Sequence, residues 1–550
     1  MTSDSRSFFA LDLGSATTTA SLIGRIDSRW RLVGSLAVPS AIPVDAVTCH
    51  VAARIAAADP ALARTLDLAD PNDAPGRPRL TARSGPPPVI AVLAASEATR
   101  ILLSDAATDA GWRVVGASLE RDDVLAVLGL ALGPPIDTIL AGTVDPLPSA
   151  ERDRAATLDA LIAAVIDRRP DATVVLSGRL ALAAVGDRPG GAEVLFAPAD
   201  HPAGTVRRGR RGPVRNDRAE PIVAFLERLR MRPSDAAAAV ARTTASLATV
   251  LGLRVEVIDI GMSAGRRVAA SPTDGADPST SGDARARSVA IREAALVPEP
   301  LDDGAIDEVM AWLTTPLDRV RLRDRLRELG RVPWGEADGG GAELRAAALR
   351  AALARLVAAT ADRFPSDPPD LVVATGGSAA ALPGPAIALA IADTVRRPGA
   401  SGLALDHARL LGPLGTIEDE DERRRLVEDL ADDLLVPLGS VVAPAGIRAG
   451  RSAGRLTVRA GTGVSALDLV PGGLQLVDLP PGHVATVEFD FRDPVRLGTH
   501  GRRFAIEAGG GLGGLLVDLR DVPLHLPDRL EHRRELLAAW QRALWAGFDG

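Results

Sequence analysis

The most constraining feature of this chain is a motif near its start, in which an apolar run ends in Asp, Leu and Gly before several small hydroxyl residues. Residues 8–21 read FFALDLGSATTTAS, so Asp12 stands at the end of a predicted strand and Gly14 opens a turn. Glycine permits close backbone approach to a ligand, and successive N–H groups in a tight turn can bind an anion. The pattern fits a phosphate-binding hairpin with Gly14, Ser15 and Thr17 at its turn, and it equally fits an ordinary strand and polar turn.

Two later segments repeat this design and favour the first interpretation. Residues 255–265 read VEVIDIGMSAG, with Asp259 at the end of an apolar run, and residues 371–381 read LVVATGGSAAA. The paired glycines of the third segment would let a nucleoside lie against the backbone, at the end of a cleft opposite the two phosphate loops. The residues expected to contact a nucleotide in these two segments are Gly261, Ser263, Gly376, Gly377 and Ser378.

Three apolar strands that each end in a glycine turn, in this order, resemble the actin-like ATPase superfamily, which includes sugar kinases, actin and heat-shock chaperones. The resemblance implies a two-lobed α/β fold of the ribonuclease H type, with ATP bound in a cleft between the lobes. It also implies that Asp12 and Asp259 lie at strand ends in different lobes, face one cleft and serve as catalytic residues. Asp12 is the expected ligand of Mg²⁺, because this ion keeps several waters and prefers a few hard oxygen ligands.

Further stretches of the middle and C-terminal parts narrow this resemblance. They are Val309–Pro316, Ala342–Ala361, Ala374–Ser378 with Leu382–Pro383, Leu403–Thr416, Leu435–Pro444 and Asp137–Asp145. Over residues 8–450 the chain resembles the glutamate-mutase-associated MutL (GlmL) family, which is unrelated to the mismatch-repair protein of that name. The resemblance implies an ATP-binding accessory protein, chaperone-like or reactivating for a cobalamin-dependent mutase. Asp406 and His407 lack the Asp-x-His-x-x-Gly spacing of a cobalamin-binding loop, so the mutase itself is not encoded here.

The second phosphate-type loop departs from the family pattern. Met262 stands where a glycine is usual, and Arg266 and Arg267 stand near the position of an acid. Either arginine could pair with a phosphate as a planar fork, or the loop has lost hydrolysis, so we expect weak or absent ATPase activity. Two alternatives remain open at this stage. One is a small-molecule kinase on the same fold with Asp137 or Asp145 as its carboxylate, and the other is a non-hydrolytic scaffold whose β-domain binds a partner.

Composition excludes several function classes. All 63 basic residues are arginine, which rules out a lysine-dependent phosphate loop and a Schiff-base lysine. Cys49 is the only cysteine, so no intramolecular disulfide can form. The net charge of −8 gives no support for a nucleic-acid-binding surface. Because no apolar run approaches the length of a membrane span and no charged leader precedes one, we expect a cytoplasmic protein without a membrane partner.

The periodicity along the chain predicts its organisation. Alternating strands and helices over residues 89–176 favour a largely parallel sheet, whereas residues 66–88, rich in Pro, Asp and Arg, indicate a loop or a mobile insertion. After residue 450, short alternating strands at 456–459, 474–478, 485–491, 503–507 and 514–518 predict a small antiparallel β-domain, followed by a closing helix. We therefore expect a first actin-like lobe at 8–240, a second at 241–450 and a C-terminal β-rich domain at 451–550.

Overall fold

The chain forms a mixed α/β structure, and its described part contains four β-sheets. The computed structural model describes residues 6–84, 89–110, 112–133, 136, 138–143, 147–169, 172–178, 193–196, 222–223, 225–226, 229, 236–272, 286–333, 339–365, 367–448, 452–461, 463–520 and 524–545. Asp137, Asp145 and the segment 273–285 lie outside these residues. The chain divides into two compact units: one comprises Met1–Gly85 with Pro233–Gly550, and the other comprises Pro86–Arg232. The predicted division at residues 240 and 450 stays a prediction.

The first sheet carries the N-terminal motif. Its strands are β1 (Ser7–Leu13), β2 (Thr17–Ile26), β3 (Arg29–Pro39) and β4 (Arg79–Arg83), in the order β3-β2-β1-β4. Asp27 and Ser28, with φ of 48° and 68°, form the tight turn that joins β2 to β3. Helices α1 (Val44–Ala58) and α2 (Pro60–Thr65) follow β3, and a 3-10 turn at Pro71–Gly76 precedes β4. The prediction of a loop over residues 66–88 is wrong at β4, because this short strand is recognisable only by its parallel pairing with β1.

The second unit is built on a parallel sheet, as the sequence predicts. Its strands are β5 (Val89–Ala94), β6 (Arg113–Ser118), β7 (Thr138–Gly142), β8 (Thr173–Ser177) and β9 (Glu193–Phe196), in the order β6-β5-β7-β8-β9. All four pairings are parallel. The connecting helices are α3 (Glu97–Asp109), α4 (Val124–Leu132) and α5 (Arg152–Arg168), the last preceded by a 3-10 turn at Ser149–Glu151.

The largest sheet belongs to the first unit and follows helix α6 (Ala236–Leu251). Strands β10 (Val255–Ile260), β11 (Gly265–Ala270) and β12 (Arg287–Ile291) form an antiparallel meander, and β13 (Leu371–Thr375) and β14 (Gly399–Leu405) extend it in parallel with β10. Strand β15 (Val436–Ala443) pairs antiparallel with β14. The helices of this region are α7 (Asp303–Met310), α8 (Arg319–Arg331), α9 (Gly339–Thr360), α10 (Gly377–Ala380), α11 (Gly384–Thr394), α12 (Leu411–Leu414), α13 (Glu420–Asp429) and α14 (Ala431–Leu434).

The C-terminal strands divide between two sheets. Strands β16 (Gly454–Ala460), β17 (Gly463–Leu469), β19 (Val484–Leu497) and β20 (Thr499–Gly509) form the expected antiparallel sheet, in the order β17-β16-β19-β20. Strands β18 (Leu474–Val477) and β21 (Leu515–Asp518) instead join the large sheet beyond β15, which corrects the expectation of one small β-domain. Strand β21 is buried at every position, so it needs cover on both faces. Helix α15 (Leu530–Trp545) closes the described chain.

Packing within the first unit brings the N-terminal sheet against the large sheet. One buried cluster contains Phe8 and Ile23 of the first sheet together with Val257, Val373 and Leu411. This core brings the carboxyl ends of β1 and β10 to a common cavity. Among the described residues, no helix has the length and apolarity that a membrane span requires.

Candidate functional site

Two hairpin loops of matching geometry form one side of the site. The N–H of Gly14 donates to the carbonyl of Thr17 at 2.9 Å, and the N–H of Gly261 donates to the carbonyl of Ala264 at 3.0 Å. The first bond closes the turn between β1 and β2, and the second closes the turn between β10 and β11. Ser15 and the other central residues of both turns line the same cavity, so the backbone of both turns lies against the space that an anion would occupy.

This cavity has a volume of about 300 Å³ and lies within the first unit. Every residue nominated from the sequence lines it, namely Asp12, Gly14, Ser15, Thr17, Asp259, Gly261, Ser263, Gly376, Gly377 and Ser378. The structure therefore brings together three segments that are far apart in the chain, and Asp12 and Asp259 face one space. Their catalytic and ligand-binding roles stay predictions.

The paired glycines lie beside both hairpin loops, whereas the sequence interpretation expected them at the opposite end of the cleft. Gly376 has a φ of +88°, and a Cβ there would lie 2.3 Å from Oδ1 of Asp259. A Cβ on Gly377 would lie 2.9 Å from Nη2 of Arg409 and 3.3 Å from Oγ1 of Thr17. The absence of side chains at these two positions thus makes room for a carboxylate and a guanidinium group, as well as for a ligand.

Arg409 is the principal site residue that the sequence interpretation missed. Its Nη1 donates to Oγ1 of Thr17 at 2.6 Å and lies 3.7 Å from Oδ2 of Asp12. Oγ of Ser84 also donates to Oδ1 of Asp12 at 3.3 Å. The side chain of Arg409 is only 8% exposed, and its Nε has no hydrogen-bond partner within the described residues. Arg409 therefore lines the cavity with a positive charge with which an incoming anion could pair.

The turn after β14 positions Arg409. Asp406 accepts hydrogen bonds from the N–H groups of Leu410 and Leu411 at 2.8 and 3.1 Å and from Oγ1 of Thr375 at 3.0 Å. Within this turn Arg409 adopts a φ of +52°, which is rare for a residue with a side chain. The sequence signal was available, since Asp406 and Arg409 both lie in the stretch Leu403–Thr416, but spacing alone did not indicate that they face the N-terminal motif.

Arg266 is the second arginine at the cavity. Its Nη1 donates to Oδ2 of Asp259 at 3.1 Å. Neighbouring side chains of a strand point to opposite faces. Arg267 therefore points away from the cavity, and its Nε lies 2.8 Å from Oε1 of Glu256. Arg267 also lies over the ring of Phe364, 4.3 Å from its centroid. Of the two arginines considered from the sequence, only Arg266 is therefore placed to contact a phosphate.

The electrostatics of the cavity disfavour additional negative charge on the protein. Burial raises the pKa of Asp12 to about 6 against the opposing effect of Arg409, and the carboxylates of Asp259 and Asp406 raise it further. Burial also raises the pKa of Asp406 to about 6, against the stabilising N–H groups of Leu410 and Leu411. Because these carboxylates are poorly solvated, the arginines beside them are the groups that balance their charge.

The residues of the cavity fit an anion better than they fit a hydrated metal ion. Asp12 and Asp259, the carboxylates at the two strand ends, each lie beside an arginine. Since Mg²⁺ is commonly held by one or two carboxylates together with waters and phosphate oxygens, these guanidinium groups are what opposes its binding here. A Mg²⁺ ion bound by Asp12 would have to displace or approach the guanidinium of Arg409, so the arrangement does not fit the ion as it stands.

Comparison with known proteins leaves the family of this chain open. No protein-family model matches it, and no curated protein matches it. Its structure is similar to component A of (R)-2-hydroxyglutaryl-CoA dehydratase from Acidaminococcus fermentans, with 8% identity, a TM-score of 0.27 and coverage of 76% of this chain and 98% of the other. Nucleotide-free acetone carboxylase gives 10% identity, a TM-score of 0.30 and coverage of 84% and 80%. The Ppx/GppA enzyme of Aquifex aeolicus gives 9% identity, a TM-score of 0.19 and coverage of 77% of this chain and 89% of the other. At these values, the function has to be inferred from the residues of the chain itself.

Proposed function

We propose that this chain binds ATP in the cavity between its two hairpin loops and acts as an accessory protein to another enzyme. One observation carries the proposal: three segments nominated independently from the sequence converge on a single cavity together with Arg266 and Arg409. A volume of about 300 Å³ lies at the lower end of the range for small-molecule sites. The first loop supplies Ser15 and Thr17, and the second supplies Ser263.

Chemistry assigns the phosphate end of the nucleotide. The phosphate groups lie against the N–H groups of the hairpin loops and the two guanidinium groups, because both kinds of donor favour an anion. The Gly376–Gly377 backbone lies beside the same loops, so the predicted position of the adenosine at these glycines stays a prediction. Ser378 and Ala381 also line the cavity.

The proposal includes Asp12 and Asp259 as residues of the site, but it gives them no defined step in ATP hydrolysis. Hydrolysis requires a positioned water and a stabilised phosphoryl group, and both carboxylates are already engaged by arginines. No step is therefore assigned to Mg²⁺, and its predicted binding at Asp12 stays a prediction. The same ion pairs favour the alternative of a non-hydrolytic scaffold over that of a kinase, whose candidate carboxylates Asp137 and Asp145 lie outside the described residues.

A cobalamin-dependent mutase is the proposed client of this accessory role. The support is the sequence resemblance of the stretches around Leu403–Thr416 and Leu435–Pro444 to the glutamate-mutase-associated family. Nucleotide binding would bias the equilibrium between conformations that differ in affinity for the client. A cytoplasmic location is part of this proposal.

Calorimetric titration with ATP tests the nucleotide site. We expect wild-type protein to bind ATP and the Gly377→Val variant to bind it at least about tenfold more weakly, because the new side chain enters the space beside Thr17 and Arg409. Gly509→Val is the matched control, since a Cβ at Gly509 contacts nothing within 4 Å. Unchanged affinity in folded Gly377→Val would remove this loop from the site, and absence of wild-type binding would refute the proposal.

A reactivation assay tests the client. Glutamate mutase that has lost activity through damage to its cofactor is incubated with this chain, with ATP and with fresh cobalamin cofactor. We expect recovery of mutase activity with wild-type protein and ATP, and a smaller recovery with Gly377→Val. Equal recovery in the presence and absence of this chain would exclude glutamate mutase as the client.

A further inference from the structure

We propose that the site binds the phosphate groups of its nucleotide through the guanidinium groups of Arg266 and Arg409, without a divalent cation. This inference rests on the nucleotide binding proposed above and specifies how the charge of the ligand is balanced. It differs from the sequence prediction, in which Mg²⁺ held by Asp12 would balance that charge.

The charges that line the cavity provide the first argument. Three carboxylates and three guanidinium groups line it, namely Asp12, Asp259 and Asp406 with Arg266, Arg345 and Arg409. The two signs are equal in number, so a triphosphate that enters the cavity brings several negative charges that need cations within reach. Because the chain has no lysine, arginine is its only permanently charged basic side chain. The planar fork of arginine also matches two phosphate oxygens at once.

The surroundings of Arg409 provide the second argument. Its Nη1 is shared between Thr17 and Asp12, and the 3.7 Å distance to Asp12 is longer than a direct hydrogen bond. Its Nε is buried and has no partner in the part of the chain that the structure describes. Gly377 makes room for the guanidinium, since a Cβ there would lie 2.9 Å from Nη2. Arg409 therefore lines the cavity with a positive charge that its neighbours balance only in part, and this charge can pair with a phosphate.

The two ion pairs provide the third argument, because each occupies a position that a metal ion would need. Arg409 lies beside Asp12 on the first loop, and Arg266 lies 3.1 Å from Asp259 on the second. Both arginine side chains are less than a tenth exposed, so neither can swing freely into solvent. A divalent cation between the two carboxylates would be repelled by both guanidinium groups at short range. The site is thus built around fixed protein cations.

Titration of wild-type protein with ATP in excess MgCl₂ and in EDTA is the direct test. We expect dissociation constants that agree within about threefold. Binding that weakens by more than about tenfold in EDTA would overturn the inference while leaving the nucleotide site intact. Failure to bind ATP under either condition would overturn the proposed function and this inference together.

Substitution of Arg409 tests, independently of any metal ion, whether its guanidinium group binds the phosphate groups. Arg409→Gln should raise the dissociation constant for ATP at least about tenfold, because a charge-assisted hydrogen bond is lost. Arg409→Lys should recover only part of the affinity, since it restores the charge but not the fork. Arg254→Gln is the matched control, as Arg254 pairs with Asp370 outside the cavity at 2.6 Å. Unchanged ATP affinity in folded Arg409→Gln would overturn the inference.

The effect of Asp12→Asn on ATP affinity distinguishes phosphate binding by Arg409 from Mg²⁺ binding by Asp12. If Arg409 holds the phosphate, removal of the facing carboxylate leaves ATP affinity in EDTA unchanged or raises it, because a like charge is removed and Arg409 is released. If Asp12 holds Mg²⁺, the variant loses affinity in MgCl₂ but not in EDTA. A loss of more than about tenfold confined to MgCl₂ would overturn the inference. An unchanged or higher affinity under both conditions would support it.

Discussion

At the scale of single residues, Gly376 is the position where the backbone of the site is most constrained. Its φ of +88° is costly for any residue with a side chain, and a Cβ there would lie 2.3 Å from Asp259 and 2.9 Å from the carbonyl of Ile260. Gly446 has the same φ of +88°, but a Cβ there contacts nothing within 4 Å. This pair separates the cost of the backbone conformation from the cost of the contact.

We predict that Gly376→Ala lowers the free energy of unfolding more than Gly446→Ala does. The conformational cost of about 1–2 kcal/mol applies to both variants, whereas only the first forces Asp259 or its loop to move. Urea denaturation of both variants and the wild type measures the difference. Equal destabilisation of the two variants would show that the loop around Gly376 absorbs the contact without cost.

The buried carboxyl group of Asp406 predicts a pH dependence of stability. Its pKa rises from 3.8 to about 6 on folding, so the native state holds its proton where the unfolded state has lost it. The stabilising contribution of this carboxyl group is therefore fully present below about pH 4, and it is lost as the pH rises through about 6. At 1.36 kcal/mol per pKa unit, the loss amounts to about 3 kcal/mol.

Asp406→Asn should make this slope shallower between pH 4 and pH 7, as followed by urea denaturation at each pH. Asp12 shifts in the same direction and remains in the variant, so part of the slope persists. The exposed Asp73 provides a control, since Asp73→Asn removes a carboxyl group without touching the buried site. A slope identical to that of the wild type in Asp406→Asn would contradict the assignment.

At the scale of elements, the sequence predicts strands more reliably than it predicts their partners. The hairpin strands, the parallel sheet of residues 89–176 and the antiparallel C-terminal sheet were all recognisable from periodicity and glycine turns. Strand β4 was not, because its five residues give no periodic signal and its partner β1 lies about 70 residues earlier. The sequences of β18 and β21 show the same apolar or alternating patterns as the neighbouring strands. Nothing in these local patterns indicates that the two strands join the large sheet.

The residues of the site were likewise predictable where local sequence marks them, but not where they depend on tertiary packing. Each glycine turn carries a local signature, so all ten nominated residues were accessible from the sequence. Arg409 has no such signature, and its contact with Thr17 depends on tertiary packing across most of the chain. The choice between Arg266 and Arg267 depends on which face of β11 meets the cavity, and this is decided by the pairing register with β10.

A buried ion-pair network ties β21 to the helices of the large sheet. Arg520 donates to Asp518 at 2.7 and 2.8 Å and to Asp393 of α11 at 2.7 Å. Asp393 also accepts from Arg350 of α9 at 2.6 Å, and Asp518 pairs with Arg396. These side chains are nearly completely buried, so each charge depends on its partners. The network explains how the C-terminal strand is fixed in this sheet.

We predict that Asp518→Ala lowers the free energy of unfolding by about 3–5 kcal/mol, because buried Arg396 loses its carboxylate and Arg520 keeps only that of Asp393. Asp370→Ala is the matched control, since Asp370 forms a similar pair with Arg254 at a half-exposed position and should cost less than about 1 kcal/mol. Urea denaturation of both variants provides the comparison. Similar small effects would show that β21 contributes little to the stability of the large sheet.

At the scale of the whole molecule, the site belongs to one compact unit that the chain assembles from two separate segments. Residues Met1–Gly85 supply the first hairpin loop, and Pro233–Gly550 supply the second loop, the glycine pair and the three arginines that line the cavity. The segments are joined by hydrogen bonds such as that from Oγ of Ser21 to the carbonyl of Ala408 at 2.9 Å. The N-terminal segment is therefore an integral part of the site, although a separate unit interrupts the chain between the two parts.

We predict that the isolated chain hydrolyses ATP slowly or not at all. A guanidinium group lies beside each strand-end carboxylate of the cavity, 3.1 Å from Asp259 and 3.7 Å from Asp12, where an attacking water or a metal ion would have to lie. We expect turnover below about 10⁻² s⁻¹, some three orders of magnitude under the typical value of about 10 s⁻¹ for enzymes. Phosphate release from purified protein, measured with and without MgCl₂ at ATP concentrations below the dissociation constant, provides the test, and Gly377→Val shows how much of the release depends on the site. Turnover above about 1 s⁻¹ that falls in Gly377→Val in proportion to its affinity would refute the prediction and would require the contacts of the arginines with Asp12 and Asp259 to open during the reaction.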